Sequence, residues 1–361
     1  MKKELPYYFL PILVVLNSIL AYSLTPSVDG FKGISPDSLD YITIAQKLPT
    51  ISNSLFPVFY PICIKLVSFL FNNYFLASKI LCCVAVIFSF GFVYRKNFFW
   101  REFWIILSTS SFLDIYYWSW SETILIPELI VFYYYIQQYF QNKCEKNWLL
   151  KISIILILLL LTKYSSIFII IGMIFFVVLM KLVYHERKYK LISPIIISLF
   201  FFLGYIFLNF HFTGYFTGNR ITRASGSINI QLSLFNIIYA YNPIINNRFF
   251  CGVKINYLYY ALFTILIFLP SVYLLVKNKI KDISEVVFCF SISIIFLLFS
   301  YASFFITKLD YLNERLLLPS IFFLYVGLII GISQFISKKT LIIIGYLSLI
   351  FNLIDNIYHI I

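Results

Sequence analysis

Apolar runs separated by short polar joints repeat along the whole chain, at 7–24, 74–94, 103–119, 123–140, 148–162, 165–183, 191–210, 257–276, 284–305, 316–333 and 340–358. Each is close to the length that carries a helix across a bilayer. Lipid offers the backbone no hydrogen-bond partner, so each run predicts a helix rather than a lone strand. The pattern therefore predicts an all-α polytopic membrane protein with about eleven transmembrane helices. A further stretch, 55–71, is shorter, carries Pro57 and Pro61 at its start and stops at Asn72-Asn73. It predicts an interfacial or re-entrant piece. The first run follows Lys2-Lys3 and contains Ala21-Tyr22-Ser23, a sequence a signal-peptide cleavage site also shows. Its length favours a retained signal anchor.

The positions of Lys and Arg orient these segments. With the N-terminus in the cytoplasm, the cytoplasmic joints receive Lys2, Lys3, Arg95, Lys96, Arg101, Lys143, Lys146, Lys151, Lys181, Arg187, Lys188, Lys190, Lys277, Lys279, Lys281, Lys338 and Lys339. That is 17 of the 28 basic residues. Counting 55–71 as a span would place Arg95, Lys96 and Arg101 outside, so the charge pattern also argues for the interfacial reading. Two substantial extracytoplasmic loops result, 25–73 and 211–256, within a single integral membrane domain covering 1–361.

Composition closes off other classes. With 61% hydrophobic, 21% aromatic and 12% charged residues, the chain has too little polar surface for a soluble protein of this size. The net charge of +13 is that of cytoplasmic anchoring loops, so no nucleic-acid partner is expected. The six cysteines have no metal-ligand spacing, a Cys63–Cys251 disulfide is disfavoured, and His185, His211 and His359 are scattered.

Chemistry is therefore sought in the outer loops. Ser35-Pro36 marks a helix start, and Leu39, Ile42, Ile44, Ala45 and Leu48 follow at mostly helical spacing, which predicts a short amphipathic helix on the membrane surface. Asp37 falls in its first turn and Asp40 one turn on, on about the same face. Ionisable residues at the ends of apolar runs are costly to bury and mark candidate sites: Asp114, Glu122, Glu128, Lys163 and Arg315. Tyr116, Tyr117, Trp118 and Trp120 read as an interfacial aromatic belt.

In order along the chain stand Asp37-Ser38-Leu39-Asp40-Tyr41-Ile42-Thr43-Ile44-Ala45, Pro57-Val58-Phe59-Tyr60-Pro61, Ser121-Glu122, Leu161-Thr162-Lys163-Tyr164, Gly218-Asn219-Arg220 and Arg315-Leu316-Leu317-Leu318-Pro319. With these motifs the chain resembles the GT-C superfamily of membrane glycosyltransferases, in particular bacterial relatives of protein mannosyltransferases and of the aminoarabinose transferase of lipid A. Two departures stand out. Ser38 occupies the place where many relatives carry a second acid, and no large soluble C-terminal domain follows the spans, which is the pattern of a short core enzyme.

The resemblance implies a sugar donor linked to polyprenyl phosphate and a glycan, glycolipid or protein acceptor outside a bacterial cytoplasmic membrane, with inversion at the anomeric carbon. Attack by an acceptor hydroxyl needs a base, for which Asp37 is the first candidate and Asp40 the alternative. The departing lipid phosphate calls for cations, with Arg315, Arg220, Arg223 and Lys163 as candidates. Glu122, Tyr41, Tyr60 and Asp114 are the expected substrate contacts. Glu128 either has a direct role, is simply neutral, or pairs with Lys79 or another interior partner. No cofactor is expected, and a divalent cation shared by Asp37 and Asp40 has only weak sequence support. The rival classes are a polymerase of lipid-linked repeat units and, further off, a lipid flippase or transporter.

Overall fold

The computed structural model describes residues 12–16, 34–51, 54–98, 100–113, 115–116, 118–144, 147–183, 185, 188–218, 234, 236–238, 240–243, 283–306, 312–333, 335 and 337–358. Its helices are α1 (Pro36–Lys47), α2 (Phe59–Phe71), α3 (Tyr74–Arg95), α4 (Trp100–Leu107), α5 (Ser110–Leu113), α6 (Glu122–Phe140), α7 (Trp148–Thr162), α8 (Ile167–Leu182), α9 (Ile192–Thr213), α10 (Ile283–Ile306), α11 (Glu314–Ile332) and α12 (Lys338–Tyr358). Single 3₁₀ turns at Tyr164–Ser166 and Tyr189–Leu191 lead into α8 and α9. Among the described residues, five helical segments are long and apolar enough to cross a membrane: Tyr74–Arg95, Tyr164–Leu182, Tyr189–Thr213, Ile283–Ile306 and Glu314–Ile332. The protein is an integral membrane protein. The expected run at 257–276 and, apart from residues 12–16, the run at 7–24 lie outside the described residues, and with them part of the tally of eleven spans.

The apolar run 103–119 does not form one continuous span. It breaks after Leu107 into the short α5 and a turn. Ser108 to Ser111 place four hydroxyls in succession there, and two of them turn to carbonyls. Thr109 donates to the Ile106 carbonyl at 2.7 Å and Ser111 to that of Ala240 at 2.8 Å. Such bonds offer the backbone an alternative to the helical ladder.

The chain falls into two compact units. The first takes Ile34–Phe98 and Trp118–Thr222. Here α1, α2, α3 and α6 meet in a core of Tyr41, Ala45, Tyr60, Ile64, Ala77, Leu81 and Ile124, with two alanines allowing close approach. The piece 59–71 is a 13-residue helix, too short for a perpendicular span and consistent with the interfacial expectation. Its outward face exposes Leu66, Phe69 and Leu70, while Lys65 reaches inward to the Leu48 carbonyl at the end of α1.

The second unit takes Met1–Gly33, Phe99–Tyr117 and Arg223–Ile361. Apolar side chains gain little from leaving lipid for one another, so helices there are joined by close packing and by hydroxyl bonds. Between α10 and α11, Ser293 donates to the Ser320 carbonyl at 2.8 Å and Ser320 to the Ser293 carbonyl at 2.6 Å. Residues 240–243 are held by three more donors. Ser111 bonds Ala240 at 2.8 Å, Tyr325 bonds Tyr241 at 3.0 Å and Ser348 bonds Pro243 at 2.6 Å, each on the carbonyl.

Gly327 sets the approach of α10 to α11, because a β-carbon there would stand 3.0 Å from Cys289 Cβ and 3.3 Å from the Phe290 ring. Replacing Gly327 by Ile is expected to destabilise the protein by about 1–3 kcal/mol through overpacking. Gly91, with open space around it, tolerates Ala. Thermal unfolding in detergent micelles distinguishes the two variants, and an unchanged Tm for Gly327→Ile would contradict the packing argument.

Candidate functional site

The first unit brings together six of the ten residues singled out in the sequence: Asp37, Asp40, Tyr41, Tyr60, Glu122 and Lys163. Arg315 belongs to the other unit, in the first turn of α11, where Asn313 caps the helix by accepting from Leu316 N–H at 3.1 Å. Asp114, Arg220 and Arg223 lie outside the described residues, as does Cys251.

The local sequence builds α1 as expected at its start. Ser35 and Ser38 form a reciprocal capping box, and Pro36 takes the first helical position. Its buried face differs from the expected one. Ser38, Tyr41, Ile44 and Ala45 are buried, while Leu39 and Ile42 are only half covered. A serine and a tyrosine can face inward because each hydroxyl finds a partner. Ser38 Oγ lies 3.1 Å from Ser35 Oγ, and Tyr41 Oη lies 2.8 Å from Ser121 Oγ. Asp37 and Asp40, beside that stripe, remain half-buried.

The helix hairpin α6–α7 supplies the opposing wall. Its short link makes the two helices antiparallel, so the start of α6 and the end of α7 share a level. Glu122 opens α6, where the helix N-terminus favours an anion. Lys163 follows the last residue of α7 in extended backbone, and its ammonium meets Glu122 Oε1 at 2.7 Å. Both side chains are shielded, at 11% exposure for Lys163 and 1% for Glu122. Ser121 Oγ also lies 3.3 Å from Glu122 Oε2. A continuous polar chain thus runs Tyr41, Ser121, Glu122, Lys163. Lys163, expected to bind donor phosphate, directs at least one donor to a buried carboxylate.

Two further residues are buried. Glu128 finds an interior partner, its Oε1 accepting from Thr162 at 2.8 Å. The Lys79 ammonium lies 5.5 Å from the Phe75 ring centroid. Tyr60 is fully buried, with its ring edge-on to Tyr41 at 5.1 Å and its hydroxyl without a partner among the described residues.

Sequence reasoning missed a second polar knot. The Tyr164 hydroxyl donates to the Ser54 carbonyl at 2.9 Å and accepts from Asn209 Nδ2 at 2.9 Å, while Ser54 Oγ lies 3.0 Å from Thr213 Oγ1. Gly218, at φ +82°, presses on Leu55, whose Cα would lie 2.5 Å from a β-carbon there. The lone amide of Asn209 inside the apolar run 191–210 was the available signal, since such a group in lipid needs a partner. Among the described residues no cluster of His, Cys, Asp or Glu could hold a metal ion.

Lys163→Met is expected to cost about 3 kcal/mol by stranding the Glu122 charge, whereas adding Glu122→Gln recovers most of the loss. Thermal unfolding of the single and double variants in lipid nanodiscs checks this. Asp40 gives a pH-dependent test. Burial, and then the charge of Asp37, raise its carboxyl above the ordinary carboxylate range. The folded state therefore binds that proton more tightly than the unfolded chain, and stability is lost as pH rises through the folded value. Asp40→Asn is expected to raise Tm at neutral pH and to leave it unchanged in acid below the ordinary carboxylate range.

Two solved structures share this fold. ArnT from Cupriavidus metallidurans in the apo state superimposes with a TM-score of 0.55 at 13% identity, over 91% of this chain and 60% of that one. The same protein bound to undecaprenyl phosphate gives a TM-score of 0.52 at 10% identity, over 92% and 60%. The chain thus spans 60% of the length of the ArnT structures it matches. No family model matches the sequence, and no curated protein does. The ArnT-like membrane fold expected from the sequence motifs is the fold observed.

Proposed function

We propose that this protein is a membrane glycosyltransferase that moves a sugar from a polyprenyl-phosphate carrier to a hydroxyl acceptor on the outer face of a bacterial cytoplasmic membrane. The observation that carries this reading is the ArnT-like fold over 91% of the chain, one of the two matching structures holding undecaprenyl phosphate. The placement of Asp37 on a capped, well-anchored helix beside a buried ion pair supports it.

In this reading the carboxylate of Asp37 accepts the proton of the acceptor hydroxyl as its oxygen attacks the anomeric carbon. The bond from that carbon to the phosphate oxygen breaks, its electron pair leaves with the polyprenyl phosphate, and configuration inverts. Asp37 suits the role because it is half-buried, open to an acceptor yet fixed enough to be aimed. Asp40, whose carboxyl is raised above the ordinary carboxylate range by burial and then by the charge of Asp37, serves to orient the acceptor.

The departing phosphate develops charge that a cation must meet. Arg220, Arg223 and Arg315 carry that assignment. Lys163 contributes through Glu122, since its ammonium already rests on that carboxylate. Tyr41 and Tyr60 then act as the packed floor under α1, and Glu122 orients Lys163 rather than meeting the acceptor directly.

The test is transfer by the purified protein in nanodiscs, supplied with labelled undecaprenyl-phosphate sugars and crude surface-glycan acceptors. Asp37→Asn is expected to lower turnover by about 10²–10⁴-fold with insertion and Tm preserved, and Asp40→Asn by less. Retained turnover in Asp37→Asn would refute the base. No sugar release from any donor would refute the glycosyltransferase reading itself.

A further inference from the structure

The loop before α6 touches α1 at two places that bracket both carboxylates. Trp120 Nε1 donates to Ser35 Oγ at 2.7 Å, at the helix cap. One residue later, Ser121 Oγ meets Tyr41 Oη at 2.8 Å, after the first full turn. Asp37 and Asp40 lie between these points along α1. Two separated attachments fix what one cannot, because a single hydrogen bond leaves the helix free to rotate about its axis and to pivot about the contact.

The attachments are themselves rigid. Trp120 is 8% exposed and Ser121 fully buried. The Trp120 indole lies parallel to that of Trp118, 5.0 Å between centroids at 11°, which limits rotation of the ring carrying the donor. Ser35 Oγ is also tied to Ser38, within 3.1 Å of its hydroxyl and 3.3 Å of its N–H, so the Trp120 bond bears directly on the cap that sets the first turn. Ser121 is the covalent neighbour of Glu122, whose own partner is Lys163 at 2.7 Å.

We infer that Trp120 and Ser121 form a two-point clamp on α1, with Trp120 a positioning residue that aims Asp37 and Ser121 the link that registers α1 against the Glu122–Lys163 pair. The inference rests on the assignment of Asp37 as base only for its effect on turnover. The clamp itself is a statement about the order of α1.

The experiment therefore has two readouts on the same variants, Trp120→Phe, Ser35→Ala and the double variant, in nanodiscs. Trp120→Phe leaves an aromatic ring beside Trp118 but removes the N–H together with part of the indole, and Ser35→Thr serves as the conservative control that keeps the hydroxyl. In hydrogen exchange read by mass spectrometry, each single variant is expected to speed exchange in residues 36–41 while peptides from α7 and α9 stay unchanged. The double variant is expected to exchange no faster than Ser35→Ala alone, which already removes the Trp120 bond along with the helix cap. In the transfer assay, kcat is expected to fall roughly tenfold to a hundredfold from misplacement of the base, with KM for the lipid-linked donor unchanged. Ser35→Thr restores the rate, and Trp120→Phe has no further effect in an Asp37→Asn background.

Unchanged exchange in 36–41, or additive losses in the double variant, would overturn the clamp. A further loss from Trp120→Phe in the absence of Asp37 would overturn its action through that residue. If Asp37→Asn itself keeps full turnover, the base assignment fails separately, and the exchange results alone then decide the clamp by the same criteria.

Discussion

The buried ion pair between Glu122 and Lys163 is the constraint on which the first unit depends. A carboxylate shielded to 1% exposure is tolerable only with a cation and hydrogen bonds around it. The antiparallel α6–α7 hairpin supplies both, from the start of one helix and the end of the other. Chain neighbours carry the constraint outward. The residues preceding Glu122, Ser121 and Trp120, reach α1 through Tyr41 and Ser35. The residue after Lys163, Tyr164, reaches Ser54 and Asn209. The two short segments that carry the pair thus hold both α1 and the Ser54 segment. Charge neutralisation and loop placement become one requirement.

A similar reliance on few polar groups runs through the second unit, where hydroxyls join the helices. Lipid is as apolar as leucine, so helix association there draws on close packing and on hydroxyls that satisfy carbonyls. The reciprocal Ser293–Ser320 bonds do this between α10 and α11, and Ser111, Tyr325 and Ser348 do it for residues 240–243. Small residues such as Gly327 let backbones approach closely enough for these short side chains to reach.

This physics also accounts for a fold likeness at 13% identity. Most positions of a membrane helix need only to be apolar and of tolerable size, so their identities can change freely. Shape is retained by the order of the helices and by a small number of polar attachments.

The apolar runs, the basic joints and the short proline-bearing stretch at 55–71 were enough to read the class, most helix bounds and the interfacial helix from sequence. Backbone satisfaction in lipid leaves a long apolar run one outcome. The cap of α1 was equally legible, because Ser35 and Pro36 act within one turn. The break after Leu107 and the inward face of α1 were not. Each turns on a hydroxyl finding a partner far along the chain, Ser111 with Ala240 and Tyr41 with Ser121. Lys163 shows the limit most clearly. Sequence identified it as a cation at a helix end, but a cation's role is set by which anion it meets, and the pairing with Glu122 over 41 positions exists only once α6 and α7 have packed.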